Sequence, residues 1–163
     1  MQYKIGIVED DIKIAELLSE HLKKYGFAIW VCSDFTNVAE QVLNHQLQLV
    51  LLDINLPCYD GFFWCKKIRR HSMIPVIFLS ARNMDLDQIY AIECGGDDYL
   101  TQPFSYDVVT AKINAHLRRI YGEHALQERK TVELDHVVLN TETLKLEYLE
   151  HTIVLTKKTF WNA

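Results

Sequence analysis

Three acidic runs stand beside apolar segments: Val8-Glu9-Asp10-Asp11, Leu51-Leu52-Asp53-Ile54-Asn55-Leu56-Pro57 and Gly96-Asp97-Asp98-Tyr99-Leu100. Strands of a parallel sheet finish at one edge, so at least the first two runs would meet there. Carboxylates gathered in this way can hold a divalent cation. Asp10, Asp53 and Asp11 are the candidate ligands, with the backbone carbonyl of Asn55 as a further oxygen. Mg²⁺ suits such a set because it takes hard oxygen ligands, keeps several waters and binds through one or two carboxylates plus phosphate oxygens. With the local charge neutralised, Asp53 can accept a phosphoryl group, a reaction in which an anionic nucleophile must approach an anionic centre. Taken singly these residues have plainer readings. The Asp10-Asp11 pair would cap a helix starting near Ile12, and Asp53 would be a turn residue.

The elements needed to position these residues are legible in the first 121 residues, where apolar runs alternate with amphipathic helix-length segments. Strands are expected near 3 to 9, 28 to 32, 48 to 53, 75 to 80 and 97 to 101. Helices are expected near 12 to 25, 35 to 45, 60 to 71, 84 to 94 and 104 to 121. Leu49-Val50-Leu51-Leu52 and Val76-Ile77-Phe78-Leu79 are continuously apolar, as central strands covered on both faces must be. Five right-handed βα units predict an α/β fold, a five-stranded doubly wound parallel sheet.

Composition narrows the class. The 163 residues are 49% hydrophobic and 24% charged, as in an ordinary globular protein. The net charge of −5 gives no overall basic footprint for nucleic acid. The chain opens on strand-like Tyr3-Lys4-Ile5-Gly6-Ile7-Val8, and no apolar stretch approaches the roughly 20 residues that cross a bilayer. The expectation is a cytoplasmic protein with no membrane partner. Cys32, Cys58, Cys65 and Cys94 lack the paired spacing of zinc or redox motifs and read as reduced, structural thiols. The seven histidines likewise lack metal-ligand spacing.

In the order and spacing of their motifs, residues 3 to 121 resemble the receiver domains of two-component response regulators, whose fold is flavodoxin-like. The similarity is carried by Asp10-Asp11, by Asp53 after an apolar strand, by Pro57 and Gly61 in the next loop, by Ser80-Ala81 after strand four, and by Gln102-Pro103-Phe104 after strand five. The resemblance implies that Asp53 takes its phosphoryl group from a sensor histidine kinase. It implies that Ser80 then turns its hydroxyl towards a phosphoryl oxygen and that Tyr99 rotates inward as an aromatic switch. A homodimer through the face of helix four, strand five and helix five is the implied output, with Asp98 pairing with Lys112 across it. The family usually carries lysine before the Pro-Phe pair, whereas this chain has Gln102, whose amide donates hydrogen bonds but brings no charge. That departure supports a second reading, a degenerate receiver that acts as a dimerisation or interaction module without phosphorylation. A third reading, an enzyme with an aspartyl nucleophile such as a haloacid-dehalogenase-like phosphatase, requires an acid where Asn55 stands. The expectation is a signalling protein, not an enzyme.

The pattern changes after the receiver segment. Residues 122 to 130 read as a polar linker, and 131 to 155 as several short strands, followed by Thr156-Lys157-Lys158-Thr159-Phe160 as the start of a capped helix. Residues 131 to 163 resemble the amino-terminal strands of an OmpR/PhoB-type winged-helix domain, and the receiver segment resembles the subgroup responding to bacitracin and other envelope-active peptides. No recognition helix or wing follows, so specific DNA binding is expected only of a full-length form that regulates transcription.

Overall fold

A computed structural model describes residues 2–122 and the segments 131–134, 137–140, 145–148 and 151–154. The chain divides into two compact units, Met1–Asn114 and Ala115–Ala163. The first contains β1 (Lys4–Val8), α1 (Ile12–Lys24), β2 (Ala28–Val31), α2 (Val38–Asn44), β3 (Leu49–Asp53), α3 (Gly61–Arg69), β4 (Val76–Ser80), α4 (Asp85–Glu93) and β5 (Asp98–Thr101). Helix α5 (Tyr106–Tyr121) begins in it. All five strands are parallel in the order β2-β1-β3-β4-β5, the expected doubly wound sheet.

The central strands are buried along their whole length, Leu49 to Asp53 and Val76 to Ser80 alike, because helices cover both faces. On one face Val50, Leu52 and Phe78 pack with Phe62, Trp64 and Ile68 of α3. Each large apolar side chain removed from water in this way contributes about 1.5–3 kcal/mol before its entropy cost. Register then fixes the site. Val8 pairs with Leu52, Asp53 with Leu79 and Ser80 with Thr101, so Glu9, Asp53, Ser80 and Gln102 fall at one edge of the sheet, beyond or at the carboxyl ends of their strands.

Asp97 and Asp98 lie elsewhere. Asp98 opens β5 and Asp97 precedes it, which places both at the amino-terminal edge, opposite Asp53. A strand with acids at its start cannot deliver them to the edge where its neighbours end. Asp97 instead belongs to a staple: Arg69 Nη2 donates to its Oδ2 at 2.7 Å, while the Val76 amide donates to the same oxygen at 2.9 Å. The Arg69 guanidinium also donates to the Gly95 carbonyl at 2.8 Å and to the Ile74 carbonyl. With its side chain only 14% exposed, Arg69 ties the end of α3 to the starts of β4 and β5. Replacing it strands a carboxylate and several carbonyls, so Arg69→Ala is expected to cost about 2–4 kcal/mol. Calorimetric melting checks this, and an unchanged transition would contradict it.

In the second unit, β6 (Thr131–Leu134), β7 (Val137–Asn140), β8 (Lys145–Tyr148) and β9 (His151–Val154) form an antiparallel sheet in sequential order. They lie in the stretch read as short strands. Tyr148, Ile153 and Val154 are exposed there. The expected linker, apart from Gly122, and the helix start at Thr156 lie outside the described residues.

Candidate functional site

The loop from β1 to α1 decides which acids face the sheet edge. Asp11 is the N-cap of α1, accepting from the Lys13 amide at 3.0 Å and the Ile14 amide at 3.2 Å. These bonds satisfy two of the orphan donors of the helix and occupy Asp11 Oδ1. The carboxylates that converge are Glu9, Asp10 and Asp53, each offering one oxygen within 4.8 Å of the others. Of the acids expected from sequence as ligands, Asp10 and Asp53 lie in this cluster, while Asp11 caps α1 and Glu9 stands beside the other two. The signal was available, since the residue just before a helix starting at Ile12 is its cap.

Glu9 is 4% exposed and Asp53 7%. Burial, opposed by the amide bond from Asp11 and reinforced by the charges of Asp53 and Asp10, pushes the Glu9 carboxyl up to about 7. Burial likewise raises Asp53 to about 6, against bonds from the backbone of Asn55 and Ile54 and with help from Asp10. Such a set fits Mg²⁺. Its donors are hard anionic oxygens close enough to share one ion, and a divalent charge offsets the desolvation that lifts both groups.

The remaining candidates surround this cluster. The Asn55 amide donates to Asp53 Oδ1 at 3.4 Å. Gly61 begins α3 so close to the acceptor strand that a Cβ on it would stand 2.3 Å from the Asp53 carbonyl oxygen. Ser80, fully buried at the end of β4, accepts from the Arg82 amide at 3.1 Å through Oγ. Tyr99 is half-buried, and its hydroxyl donates to the Arg82 carbonyl at 2.6 Å. Gln102, followed by a cis peptide to Pro103, points its amide at Glu9 Oε2, 3.4 Å away. Sequence reasoning missed Arg82, whose Nε donates to Asn55 Oδ1 at 2.9 Å. Nothing in its spacing distinguishes it from a surface arginine. Asp98 and Lys112 pair with each other inside one chain, Nζ lying 2.9 and 3.0 Å from the two carboxylate oxygens. The contact expected across a dimer is thus already closed within the protomer.

Residues 5–114 match the model of the response regulator receiver domain. The chain belongs to this family. Over 156 residues it is 49% identical to the transcriptional regulatory protein YxdJ of Bacillus subtilis, a match covering 95% of this chain and 68% of that protein. Among solved structures, a two-component response regulator from Clostridium difficile superposes with a TM-score of 0.70 at 31% identity, covering 74% of this chain and 99% of its own. The amino-terminal domain of a lantibiotic response regulator, the nisin resistance regulator NsrR, matches at 41% identity and a TM-score of 0.66, covering 72% of this chain and 100% of that one. The chain is also 35% identical over 154 residues to the response regulator protein GraR of Staphylococcus epidermidis, a match covering 94% of this chain and 68% of that protein. Among the described residues no helix is long and apolar enough to cross a membrane.

Proposed function

We propose that this receiver is a phosphoacceptor switch of a two-component system, phosphorylated on Asp53 by a sensor histidine kinase in the cytoplasm to control transcription. The observation that carries the reading is the convergence of Glu9, Asp10 and Asp53 at the sheet edge where Ser80 also ends its strand. Asp10 and Asp53 supply carboxylate oxygens for Mg²⁺, Glu9 replaces Asp11 in that set, and the Asn55 carbonyl completes it. When bound, the ion neutralises charge between the entering phosphoryl group and the carboxylates. Asp53 Oδ attacks phosphorus, and the donor leaves with the bonding electron pair. Ser80 Oγ then gives up the Arg82 amide and donates to a phosphoryl oxygen, and Tyr99 leaves the Arg82 carbonyl to turn inward.

The output face is read from α4. Met84, Leu86, Ile89 and Ile92 are all more than half exposed, an unusual apolar density on one short segment. A second copy covering this face, with β5 and α5 alongside, gives the homodimer. Its formation would require Asp98 and Lys112 to keep or exchange their internal pair. Strands β6 to β9 fit the amino-terminal strands of a winged-helix effector, and the domain limits that we infer are 1–121, 122–130 and 131–163. DNA binding belongs to the full-length regulator. The likeness to the nisin resistance regulator supports a signal among envelope-active peptides.

Gln102 gives this proposal its own test. A lysine there would add a cation beside Glu9 and Asp53, so Gln102→Lys is expected to speed phosphorylation by about tenfold, the worth of one charge-assisted contact. The unmodified chain is expected to shift from monomer to dimer in light scattering after treatment with acetyl phosphate and Mg²⁺. A dimer fraction that ignores phosphorylation in both proteins would refute the switch and favour constitutive association.

A further inference from the structure

Arg82 contacts both switch residues, the loop after the acceptor strand and the first turn of α4. The Arg82 amide holds Ser80 Oγ at 3.1 Å, and its carbonyl holds the Tyr99 hydroxyl at 2.6 Å. Its Nε donates to Asn55 Oδ1 at 2.9 Å, and the Asn55 amide in turn donates to Asp53 Oδ1 at 3.4 Å. Its Nη1 lies 3.7 Å from Asp87 Oδ1 in the first turn of α4. The guanidinium is therefore one residue removed from the acceptor carboxylate on one side and anchored to α4 on the other. Its side chain is 41% exposed, so it can swing without unpacking the core.

The charge pattern of the site gives this placement a use. Gln102 faces Glu9 with a neutral amide, and the converging side chains Glu9, Asp10 and Asp53 are all acids. A phosphoryl group on Asp53 adds further negative charge. A guanidinium offers a planar fork of donors that matches phosphoryl oxygens in pairs, and it stays charged at any working pH.

Resting on the phosphoacceptor reading, we propose that Arg82 supplies the cation that position 102 lacks. As the bond from phosphorus to the donor oxygen breaks and the new bond to Asp53 forms, the guanidinium leaves Asn55 and Asp87 and pairs with a phosphoryl oxygen. That one movement stabilises the transferred group, frees the first turn of α4 and displaces the backbone that holds Ser80 and Tyr99. Arg82 thereby couples the chemistry at Asp53 to the apolar face of α4.

The test uses the whole chain with acetyl phosphate and Mg²⁺ and follows the initial rate of phosphoryl gain by intact mass. Arg82→Gln is expected to slow the reaction about 10- to 100-fold, the loss of one charge-assisted contact in a partly shielded site. Arg82→Lys should recover much of the rate, and Gln102→Lys placed in the Arg82→Gln background should restore it. The gain from Gln102→Lys should be larger in the Arg82→Gln background than in the unmodified chain, whereas a structural role alone would leave the two gains equal. A second readout needs no variant: the Arg82 Nε–H resonance should shift when Asp53 is phosphorylated. An equal rate in Arg82→Gln, or an Nε–H resonance that stays in place on the phosphorylated chain, would overturn the role of Arg82 while leaving the acceptor intact. Failure of the unmodified chain to gain a phosphoryl group would overturn the acceptor reading and the role of Arg82 with it.

Discussion

Without divalent cation, this receiver should lose stability as pH rises from about 5 to about 8, and Mg²⁺ should abolish most of that loss. Glu9 rises to about 7 and Asp53 to about 6, both above their values in an unfolded chain, so the folded state holds protons that the unfolded state has released. Wherever the folded state binds more protons, stability falls with increasing pH. The loss begins as pH passes the ordinary carboxylate range and is complete by about 8, where both groups are ionised in either state. One proton shared by the pair accounts for about 3 kcal/mol, since each pKa unit is worth about 1.4 kcal/mol. Mg²⁺ binds the deprotonated carboxylates, so it selects the form that burial penalises and flattens the profile. Melts in chelator and in Mg²⁺ across this range test the prediction. Glu9→Gln removes one titrating carboxyl and should weaken the pH dependence in chelator. An identical slope in that variant would mean that the dependence arises elsewhere.

Much of this fold is legible in the sequence because its periodicity is undiluted. Leu49-Val50-Leu51-Leu52 and Val76-Ile77-Phe78-Leu79 have no polar residue to suggest an exposed face, and both are central strands. The site is legible to the extent that it depends on strand ends: Asp53 and Ser80 close β3 and β4, as their apolar runs require. What the sequence hides is register within a run of acids. In Glu9-Asp10-Asp11 the three carboxylates are chemically interchangeable, and only the demand of α1 for a cap removes Asp11 from the cluster. Asp97 and Asp98 resemble the other acidic runs by composition, yet they open their strand instead of closing it. Their partners, Arg69 and Lys112, stand 28 and 14 residues away in the chain. Arg82 is hidden for a similar reason, because its contact with Asn55 spans 27 residues and exists only once β3 and β4 lie side by side.

The largest expected effect of any single substitution belongs to Asp53. Its carboxylate is the nucleophile, and an amide in the same place keeps the volume and one hydrogen-bonding oxygen but cannot form an acyl phosphate. Asp53→Asn should therefore lose phosphoryl uptake completely, not by a factor. The fold should survive, because a neutral amide removes a buried charge that desolvation and the neighbouring Asp10 oppose. The deciding measurement is intact-mass detection of phosphoryl gain from acetyl phosphate with Mg²⁺, made side by side on the unmodified chain and on Asp53→Asn. The account predicts one phosphoryl mass on the unmodified chain and none on the variant. A mass gained equally by both would place the chemistry at another residue, and a folded chain that gains none would contradict the proposed switch.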